Sequence, residues 1–71
     1  DVPDAVLVAV DPDDRPVGYV TTRVNPATGI GQIPNLAVDP DFQNRGLGRA
    51  LLEAALDLLR AKGMALAKIE T

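Results

Sequence analysis

A chain of 71 residues has room for one domain, near the size at which a single apolar core only marginally offsets chain entropy. Its hydrophobic fraction of 46% belongs to a folding chain, while a net charge of −3 and 3% aromatic residues give neither a basic face nor a stacking platform, so no nucleic-acid partner is expected. With no cysteine and no histidine, disulfides, thiolate or imidazole metal sites and Cys or His catalysis are all excluded. No metal is expected, and the cytoplasm is the simplest location.

Asp1-Val2-Pro3-Asp4 is acidic and shows no basic leader segment. The longest apolar run, Ala5 to Val10, is far short of a membrane span, so no membrane partner is expected. Bounded by Pro3 and by Asp11-Pro12-Asp13-Asp14, that run predicts a strand buried on both faces, then a turn. Asp11, Asp13 and Asp14 beside two prolines read as a solvated turn rather than as metal ligands. Val17 to Val24 is a second strand, rich in residues that fit a pleated surface. Asn25-Pro-Ala-Thr-Gly29 is a hairpin turn in which Gly29 supplies positive φ. Ile30 to Val38 is a third strand, interrupted by Pro34. A proline cannot donate to a sheet ladder, so it marks either an edge or a bulge that opens the sheet beside a site.

Asp39-Pro-Asp41 turns the chain, and a helix is predicted from Gly46 to Lys62. Leu47, Leu51, Ala54 and Leu58 form the expected buried stripe, with Ala50, Ala55 and Leu59 beside it. Arg49–Glu53 and Asp57–Arg60 have the spacing of helix-surface ion pairs. Gly63 stops the helix, and Met64 to Glu70 is a fourth strand. The order is β-β-β-α-β: an α/β fold, a mixed sheet with one long helix, whose crossover makes the last two strands parallel neighbours.

The chemistry is expected where the third strand feeds the helix. Gln43-Asn-Arg-Gly-Leu-Gly48 falls at the helix N-terminus, where unpartnered amides and the positive end of the dipole favour an anion. Gly46 and Gly48 let a bulky diphosphate approach the backbone. Arg45 and Arg49 place cations in a first turn that would otherwise favour acidic residues. Two other phosphate motifs fail: Leu51 stands where the dinucleotide fingerprint needs a small residue, and the triphosphate loop's Gly-Lys-Ser/Thr is missing. The alternative is that the two glycines only shape a tight strand-to-helix turn.

The stretch Val38-Asp-Pro-Asp-Phe-Gln-Asn-Arg-Gly-Leu-Gly-Arg-Ala-Leu-Leu52 resembles motif A of the GNAT N-acetyltransferase superfamily, whose core is [RQ]-x-x-G-x-[GA]. Gln43, Gly46 and Gly48 fill its fixed positions; the Val-x-Pro approach, Phe42 and the Ala-Leu-Leu helix start agree as well. The resemblance covers Ile30 to Thr71 well, and residues 1 to 29 only as the preceding hairpin. It implies a partial GNAT (acyl-CoA N-acyltransferase) fold over residues 1–71, with acetyl-coenzyme A as cofactor. Amides from Arg45 to Ala50 are then expected to cradle the pyrophosphate. The strand backbone at Leu36 and Val38 would hold the pantetheine arm, and the Leu36 N–H would be the oxyanion donor. Cofactor contacts are thus expected at Leu36, Ala37 and Val38 and along Gln43, Asn44, Arg45, Gly46, Leu47, Gly48, Arg49 and Ala50. The bulge at Pro34 falls where this family splays its sheet.

Amine acetylation needs a base. Gln32 stands where some family members carry a glutamate and cannot serve. Members resembling ribosomal-protein alanine N-acetyltransferases carry a glutamate after the helix, and Glu70 matches it; the bland alternative is a solvent-facing glutamate beside Lys68. Tyr19 comes too early to match the family's tyrosine acid, which is expected beyond Thr71 with the strands and helices that complete the domain. The implied function is transfer of acetyl from acetyl-coenzyme A to a small-molecule or peptide primary amine, by direct attack in a ternary complex. The rival is a non-catalytic coenzyme A-binding or regulatory module on the same fold. Read as a fragment, the 71 residues by themselves are expected to bind the cofactor weakly, not to turn over, and to self-associate or dimerise through exposed sheet edges. The acceptor itself is not written in any pattern of the chain.

Overall fold

The computed structural model describes residues 4–69. Strands β1 (Ala5–Val10) and β2 (Pro16–Asn25) form an antiparallel hairpin, and Asp11 builds the turn between them. Its carboxylate accepts hydrogen bonds from the amides of Asp13 and Arg15, both at 2.9 Å. This local bonding to following amides is what makes aspartate a turn former. The expectation that β1 is buried on both faces is corrected here. Leu7 and Ala9 pack on the core, but Val6, Val8 and Val10 remain 51%, 53% and 51% exposed. The described helix covers one face of the sheet only, so an edge strand buries only alternate side chains.

The Asn25–Gly29 turn forms as expected, with Gly29 at φ +72°. Beyond it, the single strand anticipated from Ile30 to Val38 is two strands: β3 (Ile30–Ile33) and β4 (Leu36–Val38). Both pair antiparallel with β2, but in different registers. Arg23 faces Gln32 on β3, whereas Val20 faces Leu36 on β4. Two residues of β2 therefore oppose three of the other strand, Ile33, Pro34 and Asn35: a one-residue bulge. The final strand, β5 (Leu66–Ile69), lies parallel beside β3, from Ile30 against Leu66 to Ile33 against Ile69. The sheet runs β1-β2-β3-β5, with β4 off that path and paired with β2.

Helix α1 (Leu47–Ala61) joins β4 to β5, close to its expected limits. It stops as a glycine cap should: Gly63, at φ +80°, donates to Arg60 O at 3.0 Å, and Met64 N donates to Leu59 O at 3.1 Å. The buried stripe is shifted from the expected one. Leu51, Ala55 and Leu59 are buried, while Ala54 is exposed. The sheet decides this. An added Cβ on Gly31 would come within 2.7 Å of Leu59 Cδ2, and one on Gly18 within 3.1 Å of Leu51 Cδ1. Two leucines thus settle onto two glycines, and that contact fixes the helix rotation. Val20, Ile33, Leu51, Ala55 and Leu59 make the core.

Replacing Gly31 by Val forces Leu59 out of its seat. The expected loss is about 1–3 kcal/mol, the usual cost of overpacking, read as a lower urea midpoint at unchanged m-value.

Candidate functional site

The bulge gives β4 an open side. Thr21 N donates to Asn35 O at 2.9 Å and Asp39 N donates to Val17 O at 2.8 Å. Residues 35, 37 and 39 therefore direct their backbone groups to β2, and by alternation Leu36 and Val38 direct theirs away from it. The described pairings of β4 are with β2 alone. One outward group is engaged: Val38 O accepts from Gln43 Nε2 at 3.2 Å. The Leu36 N–H faces the side on which β5 runs beside β3.

From β4 the chain passes through a 3-10 turn, Pro40–Phe42, capped by the Asp39 carboxylate bonding Asp41 N at 2.9 Å. Asn44 (φ +66°) and Gly46 (φ +77°) then swing the backbone into α1. Gly46 is the N-cap residue, and no side chain caps the helix. The first intrahelical bond recorded is Ala50 N to Gly46 O, at 3.0 Å. The amides of Leu47, Gly48 and Arg49 precede it in the turn where a helix offers donors without intrahelical acceptors.

The two glycines differ in what they are for. Gly46 sits in the left-handed region, where a side chain is strained whatever the space around it. Gly48 is helical, and a Cβ there would meet only Val38 Cγ2, at an ordinary 3.6 Å. The turn geometry therefore accounts for Gly46 and not for Gly48. A glycine in a helix costs up to about 1 kcal/mol relative to alanine, and nothing in the packing requires it. A bare backbone at that point suits close approach by a bulky anion.

The structure brings Leu36, Ala37, Val38, Gln43, Asn44, Arg45, Gly46, Leu47, Gly48, Arg49 and Ala50 into one continuous strand, loop and helix start. Two of them also have partners within the chain, and the Arg49 pair is the one its helical spacing predicted. The Arg45 guanidinium lies 5.3 Å from the Phe42 ring centroid, a cation–π distance. Arg49 Nε pairs with Glu53 Oε1 at 3.1 Å on an exposed surface. Such exposed pairs are worth only a few tenths of a kcal/mol, so an arriving anion competes for Arg49 easily. Gln43, expected as a cofactor contact, also has a structural task in tying the loop to β4. Glu70 lies outside the described residues; its neighbour Ile69 pairs with Ile33, at the start of the bulge. Gln32 stands between Arg23 of β2 and Lys68 of β5 in one row across the sheet. A cleft of about 340 Å³ separates Asp11 and Pro12 from Phe42, Arg45 and Leu47, setting the first hairpin turn beside the helix start.

Sequence reasoning missed Thr21 and Asn35. Besides their backbone bond, Asn35 Nδ2 donates to Thr21 Oγ1 at 3.4 Å. The available signal was parity: Ile33 and Leu36 are both apolar and an odd number of positions apart, which cannot share one face of a regular strand.

The family model for the acetyltransferase (GNAT) family matches residues 1–71. The chain belongs to the GNAT acetyltransferase family. Among curated GNAT relatives, mycothiol acetyltransferase of Saccharopolyspora erythraea is 46% identical over 63 residues, covering 89% of this chain and 20% of that protein. The [ribosomal protein bS18]-alanine N-acetyltransferase of Salmonella typhimurium is 46% identical over 52 residues, covering 73% of this chain and 34% of its own length. The crystal structure of the ribosomal-protein-S18-alanine N-acetyltransferase from Escherichia coli superposes with a TM-score of 0.75 at 35% identity, covering 87% of this chain and 39% of that one. This GNAT chain therefore spans about a fifth to a third of the curated relatives it matches. Among its described residues, no helix is long and apolar enough to cross a membrane.

The Gln43 tether makes a direct prediction. Gln43→Leu should cost at most about 1 kcal/mol, the weight of one exposed hydrogen bond, while amide hydrogen exchange from Asn44 to Gly48 speeds up and that of β2 does not.

Proposed function

We propose that residues 1–71 form the cofactor-binding part of an acetyltransferase domain that moves acetyl from acetyl-coenzyme A to a primary amine. The observation that carries this is the juxtaposition of the outward Leu36 amide on β4 with an uncapped α1 N-terminus bearing Gly48. The chain's own groups fit such a ligand. The amides from Arg45 to Arg49 donate to the pyrophosphate, helped by the helix dipole, whereas the Ala50 amide, expected there too, is bonded to Gly46 O. Backbone groups of Leu36 and Val38 bond the pantetheine amides as a neighbouring strand would.

Acetyl-coenzyme A brings an activated thioester carbonyl. The Leu36 N–H, donating to that carbonyl oxygen, holds the negative charge that grows as the amine nitrogen bonds to the carbonyl carbon. Glu70 takes the proton lost by the amine, directly or through water. The carbon–sulfur bond then breaks, and the thiolate leaves with a proton supplied from outside the described residues. No Cys nucleophile is needed for this direct route, and the chain contains none. The acceptor class is a small-molecule or peptide amine, in keeping with relatives named for mycothiol and for a ribosomal-protein alanine.

Calorimetric titration of the full-length protein with acetyl-coenzyme A, followed by thiol release with a panel of amines, tests the reading. Saturable binding with amine-dependent release supports it; binding without release on any amine transfers the site to a regulatory module. Gly48→Ala should raise helix stability by up to about 1 kcal/mol and yet weaken acetyl-coenzyme A binding by tenfold or more, roughly the loss of a close backbone contact to a charged group. Glu70→Gln should lower kcat by about a hundredfold or more, as for loss of a general base, with cofactor affinity unchanged.

A further inference from the structure

We infer that Thr21 and Asn35 are positioning residues for the proposed acetyl-transfer site: their paired bonds set the register slip that turns the Leu36 amide outward. This inference rests on the function proposed above and adds to it two residues that act through the Leu36 backbone.

Thr21 is buried within β2, on the row between the two registers. Asn35 is the last residue of the bulge. It is tied to Thr21 twice, once by its carbonyl accepting from Thr21 N at 2.9 Å and once by its side-chain amide donating to Thr21 Oγ1 at 3.4 Å. Continuing the β3 register without a slip would set Thr21 opposite Pro34, which has no N–H to give. It would also turn Leu36 and Val38 to the other face of the sheet, away from the core they now pack on. The slip places Asn35, not Pro34, opposite Thr21, and the side-chain bond recognises asparagine there. With 35 locked to β2, alternation leaves the Leu36 N–H on the open side. A loosened clamp lets that amide wander, so its cost falls on the step in which charge grows at the thioester oxygen rather than on holding the pyrophosphate at the helix.

The test uses the full-length protein with Thr21→Val, which keeps the shape and removes the hydroxyl, and Thr21→Ser, which restores it. Thr21→Val should lower kcat roughly fivefold, the weight of one modest hydrogen bond, with the KM for acetyl-coenzyme A and the melting temperature nearly unchanged. Thr21→Ser should recover the wild-type rate. Wild-type kcat in Thr21→Val, or equal loss in both variants, overturns the clamp. Asn35→Ala, at an exposed side chain, repeats the measurement if Thr21→Val does not fold. Amide relaxation dispersion reads the clamp without turnover: new exchange at Asn35 and Leu36 in Thr21→Val and none in Thr21→Ser supports it, and no exchange in either overturns it. A wild-type protein that releases no thiol thus refutes the proposed function, while the relaxation data still decide the clamp.

Discussion

One backbone constraint organises this domain: the strand that follows the Asn25–Gly29 turn cannot keep a single register. Ile33 and Leu36 must both face α1, yet three positions separate them, and side chains alternate along a strand. Pro34, with no amide to donate, stands where the change is made. The slip of one residue satisfies both demands. It keeps two apolar pairs, Gly31 with Ile33 and Leu36 with Val38, against the helix, and it separates β4 from the line shared by β3 and β5. An open backbone edge beside a helix start is the product of that compromise. The proposed chemistry depends on it.

The helix is the second half of the same arrangement. Its rotation comes from Leu51 and Leu59 settling over Gly18 and Gly31, and its stop comes from Gly63 and the Met64–Leu59 bond. Its start, by contrast, is left uncapped. Gly46 turns the chain without supplying a side-chain oxygen, and Gly48 gives up helix propensity where the packing would accept a larger residue. Stability is concentrated at the C-terminal end and along the sheet face, and exposed donors at the end that faces β4. Local conflicts of this kind mark functional positions more often than structural ones.

The same division separates the charged residues from the backbone. Arg49 and Glu53, and Arg60 and Asp57, pair along the exposed helix at 3.1 Å and 2.8 Å, and Arg45 rests on Phe42. Exposed pairs contribute little and exchange readily. The fixed part of the candidate anion site is therefore peptide amide, whose direction is set by the fold, with guanidinium groups as adjustable neighbours. The sheet face opposite α1 carries Val6, Val8 and Tyr19, all exposed.

The sequence by itself determined the order of strands and helix apart from the break at Pro34, the glycine stop, both helix-surface ion pairs and the glycine-rich turn that starts the helix. Each of these is local: turn residues, helical spacing and a short motif are written within a few positions of one another. The parallel pairing of β3 with β5 followed as well, because a strand-helix-strand unit has few ways to close. Only the tertiary structure decided which side of β1 is covered, which helix residues meet the sheet, and where the Leu36 amide points. Those depend on surfaces brought together from distant parts of the chain. An apolar run such as Ala5 to Val10 reads the same whether one face is covered or two, and Ala54 and Ala55 are indistinguishable until Leu51 and Leu59 find their glycines. The bulge lies between these cases. Pro34 announced an interruption, but its register, and the Thr21–Asn35 bonds that set it, required β2 to be in place beside it.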